Sequence, residues 1–100
     1  MADTPTTVRV TDNPKRHRYE AYVGDALAAY ATYTRTPGTI EFLHTRTEPA
    51  FEGHGVGSRL AVAALDDARA GHLRVTPTCP FFAGYIERHP DYADLVAGPA

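Results

Sequence analysis

Three glycines at alternate positions, in the run Gly53-His54-Gly55-Val56-Gly57-Ser58, stand between a strand-like stretch and an alanine-rich one with helical spacing. Glycine lets backbone N–H groups approach a ligand without a Cβ in the way, and the following helix turns its positive dipole end to the same spot. The chemistry this permits is anion binding, with a pyrophosphate as the natural guest. Two common pyrophosphate sites are excluded by the residues themselves. A P-loop needs lysine between its last glycine and Ser/Thr, and Gly57 and Ser58 are adjacent. A dinucleotide fingerprint needs Gly-x-Gly-x-x-Gly inside a parallel repeat, whereas this loop is spaced Gly-x-Gly-x-Gly and follows strands that read as antiparallel.

The remaining pattern is Arg/Gln-x-x-Gly-x-Gly, which Glu52-Gly53-His54-Gly55-Val56-Gly57 resembles, with glutamate in first place. It is the coenzyme A loop of the GNAT superfamily of N-acetyltransferases. The resemblance extends to Gly38-x-Ile40, His44-Thr45-Arg46-Thr47, Gly57-Ser58-Arg59-Leu60, Cys79-Pro80-Phe81, Tyr85-Ile86 and His89-Pro90. In that order they are similar to the short YjdJ-type subgroup, over roughly residues 8–96. The resemblance implies a fold in which the fourth and fifth strands splay apart and acetyl coenzyme A lies in the wedge. It further implies acetyl transfer to an amine: a protein lysine, a polyamine or a small amine. The alternative is a non-catalytic acyl-CoA-binding or interaction module that keeps the cradle without the chemistry.

An amine must be neutral to attack a thioester, so a positioned base accelerates the step, and imidazole is the side chain suited to taking that proton near neutral pH. His44 is the candidate base, on one wall of the wedge. Cys79 faces it from the end of the fifth strand, where the next helix begins; it can act as covalent acetyl carrier or as proton donor to the departing thiolate. Family likeness makes Tyr85 a second candidate donor. For the cofactor, backbone N–H groups of Gly53, His54, Gly55, Val56, Gly57 and Ser58 should hold the pyrophosphate, while backbone of Thr45, Arg46 and Thr47 pairs with the pantetheine arm. Arg59, Arg88 or His54 could reach the ribose phosphate. No metal is called for.

The elements that must position these groups follow from periodicity. Val8 and Val10 alternate with polar residues up to the turn cluster Asp12-Asn13-Pro14-Lys15. Tyr19, Ala21 and Val23 form one face of a second strand, Gly24-Asp25 a hairpin turn, and Leu27, Ala29, Ala31 and Tyr33 one face of a third. After Pro37-Gly38 a fourth strand, residues 39–47, carries Ile40, Phe42 and His44 on one face, which places His44 on the aliphatic side. From Gly57 the period becomes helical through Leu60, Ala64, Leu65 and Ala68 to a Gly71 cap. A fifth strand over residues 73–78 and a helix opening at Pro80 with Phe81, Phe82, Tyr85 and Ile86 complete an α+β class: a mostly antiparallel sheet of about five strands with two helices. Family members usually place one or two helices between the first two strands; only residues 12–15 stand there, so the acceptor side should be open.

One hundred residues with 43% apolar side chains fit a single domain over 1–100. A net charge of −2 argues against a nucleic-acid partner, and no run approaches the ~20 apolar residues of a membrane span. Without a basic segment followed by an apolar one at the start, the expected location is the cytoplasm, and the expected state is a monomer or weak homodimer. The polar or small ends, residues 1–6 and 97–100, should fray.

Overall fold

Alternating apolar residues broken by short turns carry the first half of the chain into four antiparallel strands: β1 (Val8–Asn13), β2 (Arg18–Val23), β3 (Ala26–Thr36) and β4 (Thr39–Thr47). This is seen in a computed structural model that describes residues 7–96; the expected fraying of the ends lies outside the described residues. Gly24-Asp25 and Pro37-Gly38 close two-residue turns, with Gly24 and Gly38 at φ of 60° and 80°, where a side chain would be strained. Helix α1 (Val56–Ala70) then crosses over to β5 (Arg74–Pro77), which runs parallel to β4, and α2 (Pro80–Arg88) follows. The sheet order is β1-β2-β3-β4-β5. The α+β expectation is met, with short 3-10 turns added at Pro14–Arg16, Pro49–Phe51 and Pro90–Leu95. The first of these is all that separates β1 from β2. No helix among the described residues is long and apolar enough to cross a membrane.

Both helices pack on one face of the sheet. Tyr19 donates its hydroxyl proton to Asp67 on α1, and Phe42 stacks on Phe82 of α2 with ring centroids 4.1 Å apart and planes 10° from parallel. Ala21, Ala29 and Ala31 are fully buried between them, because small side chains let α1 approach the strands closely. Two bulges decide which residues join this face. On β3 an extra residue at Ala28 separates Leu27, which pairs with Tyr22, from Ala29, which pairs with Ala21. Leu27 therefore lies on the opposite face from Ala29, Ala31 and Tyr33, not in line with them. On β4 Tyr33 pairs with Phe42 but Thr32 pairs with His44, so Leu43 is the extra residue. The expected alignment of His44 with Ile40 and Phe42 is corrected: Ile40 and Phe42 are buried on the helix side, His44 is exposed on the open face, and Thr45 takes the inward position.

The open face has its own polar core. Glu20 is only 4% exposed, with its carboxylate accepting from Arg18 Nε (2.7 Å), Tyr22 Oη (3.0 Å) and Asn13 Nδ2 (3.2 Å). Arg18 stacks over Tyr30 and Arg9 over Tyr22. Burial acts to raise the Glu20 carboxyl, but the three donors together outweigh it and hold the group below the ordinary glutamate value. A folded value below the unfolded one contributes stability above the unfolded pKa and loses it as pH falls through the folded one. The urea midpoint should thus stay level down to about pH 5 and drop below about pH 4.3. Glu20→Gln should shift the wild-type curve toward a flatter acid limb; an unchanged limb would show that the network is unconnected to acid stability.

Candidate functional site

The glycine run folds as a cradle because each glycine is needed there. Gly53 and Gly55 have φ of 83° and 74°, conformations L side chains rarely adopt. Gly57 lies inside α1, and a Cβ on it would stand 3.0 Å from Cζ of Phe81. Gly55 caps α1 without any side-chain cap, and the first bond closing the helix runs from Arg59 N to Gly55 O at 3.1 Å. Among the described residues, no backbone carbonyl accepts a well-formed hydrogen bond from the N–H groups of residues 53–58. Gly53, Gly55, Val56, Gly57 and Ser58 line a cleft of about 380 Å³ at this helix start, an arrangement chemically suited to an anion. Thr47, Phe51 and Phe81 wall the cleft, and Glu52 is its one charged lining residue. His54, Arg59 and Arg88, expected as possible phosphate contacts, do not line it. A larger cleft, of about 520 Å³, lies between β1 and α1 around Asp12, Asp66 and Asp67, and it contains none of the expected site residues.

The cleft runs up to a gap in the sheet. β4 and β5 pair only from Thr39 with Arg74 to Phe42 with Pro77, so β4 continues for five more residues with one edge unpaired. Bonded to β3 on one side, the 45–47 segment presents its remaining backbone groups to that gap. Across it, Cys79 caps α2, its N–H donating to Phe42 O at 2.8 Å and its Sγ lying 3.2 Å from Thr45 Oγ1. The thiol is 3% exposed and turned to the helix side. His44 lies on the open face, one residue before the threonine that touches the thiol. The expectation that Cys79 faces His44 across the wedge is therefore corrected: the two lie on opposite sides of the sheet plane, because the bulge at Leu43 turns His44 outward. Tyr85 is elsewhere: its ring stacks on His89 at 4.0 Å and lies 6.2 Å from Tyr92, against the last 3-10 turn, and it does not line the cleft.

Three participants went unread in the sequence: Phe81 and Phe51 as cleft walls, and Thr45 as the partner of Cys79. For Phe81 a signal existed. Adjacent helical residues point about 100° apart, so Phe81 and Phe82 meet different neighbours. Phe82 takes the stack on Phe42, and Phe81 covers Gly57.

Comparison with known proteins decides the family. The sequence profile described as GCN5-related N-acetyl-transferase matches residues 18–95. The chain belongs to this family. An uncharacterized protein of Mycobacterium leprae is 37% identical over 79 residues, 71% of this chain but 22% of that protein. The chain thus spans about a fifth of that relative's length. Protein NATD1 of Xenopus tropicalis is 26% identical over 91 residues, covering 88% of this chain and 83% of NATD1. The solution structure of a GCN5-like protein from Staphylococcus aureus superimposes with a TM-score of 0.68 at 22% identity, over 98% of this chain and 94% of that one. That likeness shows a shared fold over nearly the whole chain. Among the described residues no group of three or more His, Cys, Asp or Glu side chains could hold a metal ion in this GCN5-related domain.

Proposed function

We propose that the chain transfers an acetyl group from acetyl coenzyme A to an amine. The observation that carries this reading is the row of N–H donors at residues 53–58 that meet no backbone acceptor, beside the unpaired edge of β4. The donors suit a diphosphate, and an exposed strand edge suits the amide groups of a pantetheine arm. Bound so, the thioester would lie where β4 leaves β5, between His44 and Cys79.

That placement favours direct transfer over a covalent acetyl-enzyme. An amine arriving over the open face loses its proton to His44 as it attacks. The buried thiol of Cys79, held by Thr45 Oγ1, gives its proton to the departing thiolate from the helix side. Solvent returns the proton from His44 to Cys79, so the balance closes as amide plus free thiol. An acetyl group on Cys79 would be buried away from the acceptor face, and intact-mass measurement after mixing with acetyl coenzyme A should therefore show no adduct. Tyr85, packed on His89, takes a structural part.

Glu52 bears on affinity. A carboxylate in the cleft opposes a diphosphate, so Glu52→Gln should tighten coenzyme A binding about two- to fivefold, equivalent to about 0.5–1 kcal/mol. The gain should shrink as salt is added, since exposed charges are screened. Calorimetry at two ionic strengths checks it; weaker binding in the variant would place the carboxylate on the helpful side. The function itself is tested by calorimetry with coenzyme A and an amine panel read by acetyl coenzyme A consumption. Binding with no acetylated amine would turn the reading to an acyl-CoA-binding module, and no binding would end both.

A further inference from the structure

The bulge at Leu43 puts Glu41, Leu43 and His44 together at the mouth of the gap. Glu41 pairs with Thr34 and His44 with Thr32, so both project from the open face, and Leu43, the extra residue between them, is 40% exposed. Leu43 is the one large apolar side chain exposed among the described residues. Three carboxylates lie on or beside this part of the sheet, and two have cations: Glu20 binds Arg18 at 2.7 Å, and Glu48 binds Arg46 at 3.3 Å. Glu41 has none. Its Oε2 accepts from the hydroxyl of Thr78, the residue before Cys79, and this neutral bond fixes the carboxylate at the gap without satisfying its charge.

With His44 taking the proton from the attacking nitrogen, the Glu41 carboxylate is left without a part in the transfer itself. It can hold a second ammonium. Thr34 and Thr32 are two residues apart on β3, which separates the Glu41 and His44 positions by about 6.5–7 Å along the strand. An extended four-carbon diamine spans about 6 Å between its nitrogens by standard bond lengths. Building on the acetyl-transfer reading above, we propose that the acceptor is an aliphatic diamine. Its unreacting ammonium docks on Glu41, its methylenes cross Leu43, and its free amine stands at His44. The exposed leucine suits the methylenes, as the unpaired carboxylate suits the charge.

The test compares 1,4-diaminobutane with n-butylamine, equal in carbon chain and differing in the second charge. With acetyl coenzyme A saturating, the diamine should have at least tenfold higher kcat/KM, expressed in KM. Glu41→Gln, which keeps an acceptor for Thr78, should bring the ratio to about one. Equal values in the wild type, or a preference that persists in the variant, would overturn the proposal. A second measurement needs no turnover: titration of the 15N-labelled protein with 1,4-diaminobutane should shift the amides of residues 41–44, Thr76 and Thr78, at least tenfold more weakly in Glu41→Gln. Shifts at those residues without acetylation of any amine would uphold the docking site and count against the transferase reading alone. No shifts there, or shifts unaffected by the variant, would remove the docking site whatever the enzyme does.

Discussion

His44→Ala is expected to lower kcat/KM for amine acetylation by about 10²- to 10⁴-fold, the usual worth of a positioned general base. Coenzyme A affinity should stay unchanged, because the side chain points to the open face while the cradle lies beyond the strand edge. The split between the two readouts is the diagnostic part. A residue that merely held the bulge would disturb Thr45 and with it the arm-binding edge, and affinity would fall together with rate. Exposure offers a further check: added imidazole can reach the vacated position and should restore part of the rate. A drop of less than about twofold in kcat/KM would remove His44 from the chemistry and leave the amine to lose its proton to water.

Phe82→Ala should be the most damaging single change to stability, at about 3–5 kcal/mol. The ring is fully buried and stacked on Phe42, which also meets Tyr19 and Tyr33, so truncation leaves a cavity where the sheet meets α2. A chain of this length has about 5–15 kcal/mol in total, so the loss is a large share. Thermal melting should move down by roughly 12–40 °C, and the urea midpoint should fall with little change in slope. The site is coupled to the same ring: α2 begins at Cys79, whose N–H is bonded to Phe42 O. Phe82→Leu, which keeps most of the volume, should lose far less. A cost below about 1 kcal/mol for the alanine variant would mean that α2 is held by contacts other than this stack.

The GCN5-related identity was legible because its signals are local. The alternation of Tyr19, Ala21 and Val23, the glycine turns and the change to helical spacing after Gly57 each depend on a few consecutive residues, and all appear where expected. Glycines 53 and 55 announce left-handed backbone, because without a Cβ they take that conformation at no steric cost. The same local reading failed at β4 and at β3. Strict alternation puts His44 beside Phe42 and Leu27 beside Ala29, and one inserted residue in each strand reverses both assignments.

Sequence by itself determined the order of elements and the left-handed glycine turns, since periodicity and backbone preference are properties of neighbours along the chain, and its loop motif carried the resemblance to the family. Tertiary structure alone decided that Thr45, not His44, meets the thiol of Cys79, that Phe81 covers Gly57, and that Glu41 is fixed by Thr78 without a cation. A bulge exists only as a mismatch between two strands, and each of those contacts joins residues more than twenty apart. Register and packing across the sheet settle them, and no stretch of a few residues encodes either one.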